Sequence, residues 1–418
     1  MNTIFQKLLR AAAWLAQALN LTRATRAIHR WLDQRTVLAH DNVAPATDVP
    51  ATEPVAAAAP AVHADESAHA IESFVPPAPQ PEPQPGSSEP LPAPPRDSVA
   101  AAAPFEPGIF SSGTHLHDAM SCGYKLYAPP GATGSGHALV VMLHGCSQDP
   151  DDFAAGTGMN ECAREQGFFV LYPAQSKLAN SHRCWNWFKP DHQQRDSGEP
   201  AWIAELTRSV IEHHLIDPQR VYIAGLSAGG AMAAVVAEAY PDLFAAVGVH
   251  SGLPVGAASN VIEAIGVMRS GASFRMPWRL MTDMAEAALG ASDDAVLVPT
   301  IVFHGDEDDT VHPRNGEQII AAVVGLAAAS DSARSPPAPR IEPSDAAEGR
   351  NHTRTIHHAD DGSATAEHWV VHGAGHAWSG GRPSGSFTDA DGPDATREML
   401  RFFFDPAREK NQPRAAAS

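Results

Sequence analysis

Cysteine, uninterrupted apolar stretches and basic residues are all scarce in this 418-residue chain. Four cysteines are too few for a scaffold built on disulfides, and no CxxC pair with zinc-ligand spacing occurs among them. No run of about 18 apolar residues exists, so a conventional membrane-spanning helix is not expected. Against 48 Asp and Glu there are only 29 Lys and Arg, a formal charge of −19, and this acidity disfavours nucleic-acid partners.

The net charge is distributed unevenly along the chain. Residues 1–40 carry a net charge of +5 and residues 41–110 a net charge of −9, which leaves −15 for the remainder. Within the basic segment, apolar residues recur at helical spacing from residue 4 to residue 20 and predict an amphipathic helix. We expect this helix to bind a hydrophobic surface, or to dock on its own protein or on another subunit.

Residues 41–107 have the composition of a linker. They hold 16 of the 36 prolines, ten of them between Pro76 and Pro95. Such a segment favours the extended polyproline II conformation and buries too little apolar surface to fold alone. We expect a disordered tether that joins the N-terminal helix to a folded domain over residues 108–408, which is followed by a flexible tail over residues 409–418.

Short apolar runs alternate with amphipathic segments in the predicted domain. The runs are rich in Val, Ile and Phe and predict strands at His137–His144, Gly167–Tyr172, Arg220–Ala224, Phe244–His250, Val298–His304 and His368–Val371. The segments predict helices at Ala201–Leu215, Ala228–Tyr240 and Asp394–Phe404. This alternation indicates an α/β fold with a mostly parallel sheet covered by helices on both faces. We expect a helical insertion at residues 255–297 and a loop at residues 327–349.

A nucleophile elbow is predicted at Gly225-Leu-Ser-Ala-Gly229, between a strand and a helix with no spacer. In Gly-x-Ser-x-Gly the serine occupies a tight, strained turn that needs small residues on both sides. The same pattern arises by chance in glycine-rich loops, but here the flanking strand and helix are the context that the motif requires. We therefore interpret Ser227 as a nucleophile beside the positive end of the helix dipole.

An acid and a base are expected downstream of Ser227, in that order. An acidic turn follows the predicted strand at 298–304, and in it Asp308 is the preferred acid and Asp306 the second choice. A solvated acidic turn or an adventitious cation site is the alternative. A glycine-rich segment after the last predicted strand carries His376, the predicted base, because His372 still belongs to the strand end.

Stabilisation of an oxyanion requires two backbone N–H donors near the nucleophile. One donor is expected from Ala228, the residue after the predicted nucleophile. The other is expected from Cys146, in the loop that follows the first strand of the predicted parallel set. Cys146 could instead act as a nucleophile, but no strand–turn–helix elbow surrounds it.

Five motifs follow one another over about residues 120–405: His144-Gly-Cys-Ser-Gln148, Arg183-Cys-Trp-Asn-Trp-Phe188, Gly225-Leu-Ser-Ala-Gly229, His304-Gly-Asp-Glu-Asp308 with Val311-His-Pro, and Gly373-Ala-Gly-His-Ala-Trp-Ser-Gly-Gly381. Together they resemble the poly(3-hydroxybutyrate) depolymerase family of esterases. The resemblance implies an α/β-hydrolase fold and a serine esterase acting on short-chain polyhydroxyalkanoates or their oligomers, with Ser227, Asp308 and His376 as its triad. It covers the folded domain only, and such families also include feruloyl and acetyl-xylan esterases.

The same resemblance bears on the cysteines and the aromatic residues. Cys146 and Cys184 occur in the first two motifs, and we expect them to lie close enough for a disulfide if the compartment permits; two buried free thiols are the alternative. Four aromatic residues are predicted to form apolar walls of an acyl pocket, although each is equally well explained as a core residue: Trp185, Trp187, Phe188 and Trp378.

Acyl transfer by this set of residues requires neither a cofactor nor a metal, so none is predicted. The expected partner is a polyester or a small ester, and the N-terminal helix is expected to bind a polymer granule. Because Arg10 and Gln17 border or interrupt the apolar run, a cleavable signal peptide is disfavoured. We therefore favour a cytoplasmic, granule-associated location over an extracellular one. The alternatives are a serine peptidase and a surface-binding protein with a degenerate hydrolase domain.

Overall fold

The computed structural model describes residues 106–118, 120–272, 297–330, 337–344 and 348–406. The predictions for residues 1–40, for nearly all of the linker and for the tail at 409–418 lie outside the described residues. Within the described ranges the strands are β1 (Ile109–His117), β2 (Met120–Ala128), β3 (His137–Leu143), β4 (Phe169–Pro173), β5 (Ile216–Leu226), β6 (Ala246–His250), β7 (Thr300–Gly305), β8 (Arg340–Pro343), β9 (His352–His358), β10 (Ala364–Val371), β11 (Trp378–Ser379) and β12 (Thr388–Asp389). The helices are α1 (Pro150–Thr157), α2 (Met159–Gln166), α3 (Gly198–His214), α4 (Ala228–Ala239), α5 (Val261–Ser270), α6 (Arg314–Ser330) and α7 (Ala395–Phe403).

Ten of these strands form one sheet in the order β1-β2-β4-β3-β5-β6-β7-β10-β9-β8. The six strands from β4 to β10 in this order pair in parallel. They are the six strands that the sequence predicts, so the predicted mostly parallel sheet is confirmed. On both edges the added strands are antiparallel: β1 and β2 on one side, β9 and β8 on the other.

The four antiparallel strands escape the sequence pattern because most of their residues are exposed or only half-buried. In β1 exposed and half-buried residues alternate along Ile-Phe-Ser-Ser-Gly-Thr-His-Leu-His, so no apolar run marks the strand. β8, of sequence Arg-Ile-Glu-Pro, is almost wholly exposed. Parallel strands that are covered on both faces have continuous apolar sequences. Strands with a solvent-exposed face do not.

Helices cover both faces of the sheet, and the alternating side chains of β3 show how the core is divided. Leu139, Val141 and Leu143 join the core on the face of α3 and α4. Val140 and Met142 join the core on the opposite face, which contains apolar residues of α1, α2 and α7. The period of two along a strand therefore sends successive residues into two separate apolar layers.

Aspartate side chains cap the N-terminal ends of α1 and α7. The Asp149 side chain accepts a hydrogen bond from the backbone N–H of Asp152 before α1, and Pro150 occupies the first turn, where no N–H is needed. Asp394 caps α7 in the same way. Both caps satisfy N–H groups that the helix itself leaves without a partner.

The structure can be compared with the predictions for the loop at residues 327–349 and the helical insertion at residues 255–297. The loop predicted at residues 327–349 is wrong at its start, where α6 continues to Ser330, and at Arg340–Pro343, which form β8. An Ala-rich helix end and a four-residue edge strand carry too little periodicity to be recognised. Of the predicted insertion at residues 255–297, the structure describes α5, while residues 273–296 lie outside the described ranges. Among the described helices, none combines the length and the apolar character needed to cross a membrane.

Candidate active site

Ser227 lies between β5 and α4, where the backbone has φ 58° and ψ −121°. A non-glycine residue with positive φ is strained, and such strain is concentrated at functional sites. A Cβ atom on Gly225 would lie 2.7 Å from the carbonyl oxygen of Leu143. On Gly229 it would lie 2.5 Å from the carbonyl oxygen of His144. Only glycine at both positions lets the turn lie this close to the end of β3.

The backbone around Ser227 is tied to the neighbouring strand. Its N–H donates to the carbonyl oxygen of His250, at the end of β6, over 2.8 Å. The residue is only 7% exposed. Its side chain therefore stands at the carboxyl ends of the parallel strands, at the start of α4, where the helix dipole favours negative charge.

Asp308 follows β7 and is buried. Its Oδ1 atom accepts hydrogen bonds from the backbone N–H groups of Thr310 and Val311, at 3.0 and 2.8 Å. Burial by itself raises the pKa of this carboxyl group, but hydrogen bonds from the side chains of His304 and His376 and from the Val311 N–H outweigh it. The pKa of Asp308 is therefore well below its usual range, and the group is a carboxylate at neutral pH.

His376 lies in the loop after β10 and faces the same carboxylate. Its Nδ1 atom lies 2.7 Å from Oδ2 of Asp308. Donation from Nδ1 to the carboxylate leaves Nε2 as the free acceptor nitrogen of the neutral ring. Among the described residues there is no hydrogen bond between Ser227 and His376, and such contacts often close only when substrate binds.

Asp306, the second choice for the acid, forms a pair of its own with His372. Nδ1 of His372 lies 2.8 Å from Oδ2 of Asp306, and the N–H of Gly373 donates to Oδ1 over 2.7 Å. Both side chains are largely exposed. This pair joins the loop of Asp308 to the loop of His376.

The loop after β3 is held in place by the side chain of Gln148. Its Oε1 atom accepts from the N–H of Gly145 over 2.9 Å, and its Nε2 atom donates to Asp152 over 2.9 Å. Neither the N–H of Cys146 nor that of Ala228 donates to another group in the part of the chain that the structure describes. Both predicted oxyanion donors are thus available at a fixed backbone.

Cys146 and Cys184 form a disulfide in the structure, with their Cα atoms 4.2 Å apart. The bond joins the loop after β3 to the aromatic segment 183–188. In addition, Nε1 of Trp185 donates to the carbonyl oxygen of His144 over 3.0 Å. The disulfide and this hydrogen bond together attach the two loops at adjacent positions.

The four aromatic residues of the predicted acyl pocket differ in burial. Trp185 and Trp378 are 0% and 1% exposed, which favours the alternative that both are core residues. Their indole N–H groups are satisfied inside the protein, by His144 and by Thr396 respectively. Trp187 is buried and Phe188 is half-buried, and their role in substrate binding stays a prediction.

Sequence reasoning assigned no role to two buried residues of the site. His304 is fully buried, and its Nε2 lies 2.7 Å from the carbonyl oxygen of Val311 and 3.5 Å from Oδ2 of Asp308. Glu199 is a buried carboxylate that accepts from the N–H of Asn186 at 2.7 Å and so braces the aromatic segment. A histidine at a strand end is a weak signal, and the Glu199 contact has no sequence signal.

The described side chains do not form a metal site. Over the described ranges, no three His, Cys, Asp or Glu side chains form a group that could hold a metal ion. The chemistry that the described side chains offer is that of a hydroxyl, an imidazole, a carboxylate and two backbone N–H groups.

Comparison with known proteins places the chain among esterases. The family model described as esterase PHB depolymerase matches residues 122–340. Poly(3-hydroxyalkanoate) depolymerase C of Paucimonas lemoignei is 36% identical over 183 residues, which are 44% of this chain and 43% of that protein. Feruloyl esterase B of Thermothelomyces thermophilus is 28% identical over 195 residues, 44% of this chain and 62% of that protein. The chain thus spans less than two thirds of the length of either relative.

A solved structure supports the fold. The acetyl xylan esterase from Aspergillus awamori matches with a TM-score of 0.54 and 21% identity, covering 70% of this chain and 98% of that one. At this identity the likeness concerns the fold alone, which is the α/β-hydrolase fold. Since the family model extends over more than half of the sequence, the chain belongs to the esterase PHB depolymerase family.

Proposed function

We propose that this protein is a serine esterase that hydrolyses poly(3-hydroxybutyrate) or its short oligomers through an acyl-enzyme. The observation that carries the proposal is the buried Asp308–His376 pair, at 2.7 Å, on the same sheet edge as the strained Ser227. The intact order of nucleophile, acid and base argues against a degenerate domain that only binds a surface.

The proposed acylation depends on the tautomer of His376, in which Nδ1 carries the proton and Nε2 is the acceptor. Oγ of Ser227 attacks the ester carbonyl carbon while Nε2 of His376 accepts the hydroxyl proton. The Asp308 carboxylate holds Nδ1–H and stabilises the imidazolium that forms. His376 then returns the proton to the leaving alkoxide, so that an alcohol departs and an acyl-Ser227 ester remains.

Deacylation repeats these steps with water. His376 takes a proton from the water, the hydroxide oxygen attacks the acyl carbon, and the proton returns to Oγ of Ser227. In both half-reactions negative charge develops on the carbonyl oxygen. The N–H groups of Ala228 and Cys146 would donate to that oxygen, and fixed donors of this kind are often the largest single contribution to such rates.

The substrate class is inferred from relatives and from charge. The relative that is named a poly(3-hydroxyalkanoate) depolymerase is 36% identical, against 28% for the one that is named a feruloyl esterase. The chain is strongly acidic, which suits an uncharged polyester better than an anionic polymer. Feruloyl or acetyl-xylan ester hydrolysis is the second candidate, which the feruloyl esterase relative favours.

A substrate panel separates these functions. We expect hydroxybutyrate oligomers to be cleaved with a higher kcat/KM than feruloyl esters, acetylated xylan or aminoacyl anilides. The anilides test the peptidase alternative, which the same triad permits. The matched control is Ser227→Ala, for which we expect a loss of at least about 10⁴-fold in kcat with normal folding. Retention of more than about a tenth of the activity would place the nucleophile elsewhere.

The N-terminal segment is proposed to attach the enzyme to the polymer. A chain that starts near Ile109 should hydrolyse soluble esters as fast as the full chain but sediment less with polyhydroxybutyrate granules. Equal sedimentation would contradict the anchoring role. Loss of soluble-ester hydrolysis would show instead that the segment belongs to the folded unit.

A further inference from the structure

His250 is the last residue of β6, between the strand that ends at the nucleophile and the strand that ends before the acid. In the sheet register it pairs with Leu226 of β5 on one side and with Phe303 of β7 on the other. It is 1% exposed. No step of the proposed reaction uses this residue.

The backbone of His250 is hydrogen-bonded to the nucleophile elbow. Its side chain is hydrogen-bonded to the loop after β10 that carries His376, which we call the base loop. Its carbonyl oxygen accepts from the N–H of Ser227 over 2.8 Å. Its Nε2 atom accepts from the N–H of Ser379 over 2.9 Å, three residues beyond His376. One residue therefore contacts both of the segments that must meet during acyl transfer.

Ring contacts strengthen this connection. The imidazole of His250 is stacked on the indole of Trp378, with ring centroids 5.1 Å apart and planes at 26°. On the acid side it is stacked on Phe303, with centroids 5.8 Å apart and planes at 13°. Trp378 is thus a contact between the base loop and His250, which explains why this tryptophan is buried.

The protonation of His250 is fixed by its partners. Because an amide N–H donates to Nε2, the ring proton must reside on Nδ1, which lies 3.2 Å from Oγ of Ser251. Burial, together with the nearby His304 and His376, lowers the pKa of His250 to about 3. The ring is therefore neutral near neutral pH, and Nε2 remains an acceptor.

We infer that His250 is a positioning residue that sets the place of the His376 loop relative to Ser227, through the hydrogen bond from Ser379. The inference rests on the proposed function. Displacement of a catalytic group by about 1 Å can lower a rate about 100-fold, so a fixed base loop has a direct effect on kcat. A core histidine that served only for stability would affect folding and leave the chemistry of folded molecules unchanged.

The test compares two variants of the full chain that have similar side-chain length. His250→Gln keeps an acceptor, since Oε1 of glutamine can replace Nε2 of histidine, whereas His250→Met removes it. We measure kcat and KM with p-nitrophenyl butyrate, and the rate at which a fluorophosphonate labels Ser227. For the Met variant we expect kcat and the labelling rate to fall about 30- to 100-fold with KM within about threefold. The Gln variant should recover both to within about fivefold of wild type.

Several outcomes would overturn the inference. They are equal losses of kcat in the Gln and Met variants, or a Met variant whose folded fraction labels at the wild-type rate. If the Met variant does not fold, His250→Asn replaces it, because its shorter amide does not reach Ser379. The Asn variant should then label at least about tenfold more slowly than the Gln variant. Equal rates for this pair would contradict the inference.

The labelling assay also separates this inference from the substrate assignment. If wild type labels at Ser227 and the rate depends on residue 250, positioning is supported even if no hydroxybutyrate ester is cleaved. If wild type neither labels at Ser227 nor cleaves any ester, the proposed function fails, and the role of His250 fails with it. The buried His368 provides a control: His368→Gln should lower stability but leave the labelling rate of folded molecules unchanged.

Discussion

Two Asp–His pairs join the loop after β7 to the loop after β10, and they differ in burial much more than in length. In one pair Nδ1 of His376 lies 2.7 Å from Asp308, and in the other Nδ1 of His372 lies 2.8 Å from Asp306. The side chains of Asp308 and His376 are 0% and 11% exposed. Those of Asp306 and His372 are 40% and 43% exposed.

This difference in exposure determines what each pair can do. Charge interactions are stronger where water is excluded, and exposed ion pairs typically contribute only about 0–1 kcal/mol. The buried carboxylate also accepts two backbone N–H groups, which fix its orientation. Distance alone does not distinguish the two pairs, whereas burial and the additional backbone donors favour Asp308 and His376 as the proposed catalytic pair.

The largest effect is expected from the buried pair. Asp308→Asn should lower kcat about 10³- to 10⁴-fold with little change in KM, because an amide cannot hold the same imidazole tautomer or stabilise the imidazolium. Steady-state hydrolysis of p-nitrophenyl butyrate measures the loss. If Asp306→Asn lowered kcat more than Asp308→Asn, the assignment of the two pairs would have to be reversed.

Acid should act on two buried histidines before it acts on Asp308. Burial lowers the pKa values of His250 and His368 to about 3. Unfolded histidine has a pKa of about 6.5, so between these values the unfolded chain binds protons that the native state does not. The free energy of unfolding should therefore fall as the pH decreases below about 6.5, by up to about 1.4 kcal/mol per pH unit for each histidine.

Urea unfolding at several pH values between about 7 and 4.5 measures this slope. His368→Gln should make the slope shallower, since one of the two histidines is removed. The low pKa of Asp308 gives the same sign, but its contribution is lost only at a lower pH than that of the histidines. Stability that stayed constant between about pH 7 and pH 5 would contradict the prediction.

The Cys146–Cys184 disulfide lies in a third loop of the site, the loop after β3. Reduction of the Cys146–Cys184 bond, or Cys184→Ser, should lower kcat about tenfold, because it loosens the loop that carries one proposed oxyanion donor without removing the donor. Activity is measured beside a thiol titration of the unfolded protein, which should rise from two free thiols to four on reduction. Unchanged kcat at four thiols would show that the bond does not support the oxyanion loop.

The smallest effect is expected from the exposed pair. Asp306→Asn should leave kcat within about threefold of wild type and destabilise the fold by less than about 1 kcal/mol. The difference in unfolding midpoint should shrink in about 1 M salt, where exposed charges are screened. A salt-independent loss would indicate that the pair behaves as a buried one.

The strained turn at Ser227 and the central strands could be predicted because their signals are contiguous in sequence. Gly225 and Gly229 flank Ser227 within five residues, and each parallel strand is a run of apolar residues. The choice between Asp306 and Asp308 could not be derived with the same clarity. Two aspartates in one turn differ only in which of them is buried, and burial results from tertiary contacts.

The aromatic residues show the limit of sequence reasoning most clearly. Trp378 lies two residues after His376, which suggests a wall of the site, but its ring is stacked on the distant His250. The link from His250 to Ser379 spans 129 positions of the chain. A contact between residues so far apart, made by a backbone N–H, leaves no trace in local composition or periodicity.

The placement of β8, β9 and β10 has a consequence for the order of events during synthesis. These strands follow one another in the chain as an antiparallel meander, and only β10 pairs with the parallel strands, through β7. The ribosome releases the elbow about 150 residues before the base, so a nascent chain contains Ser227 without His376. Pairings distant in sequence form late in folding. If His376 is the base, as proposed, Ser227 has no partner for proton transfer until β10 has paired with β7 and the loop after β10 has docked.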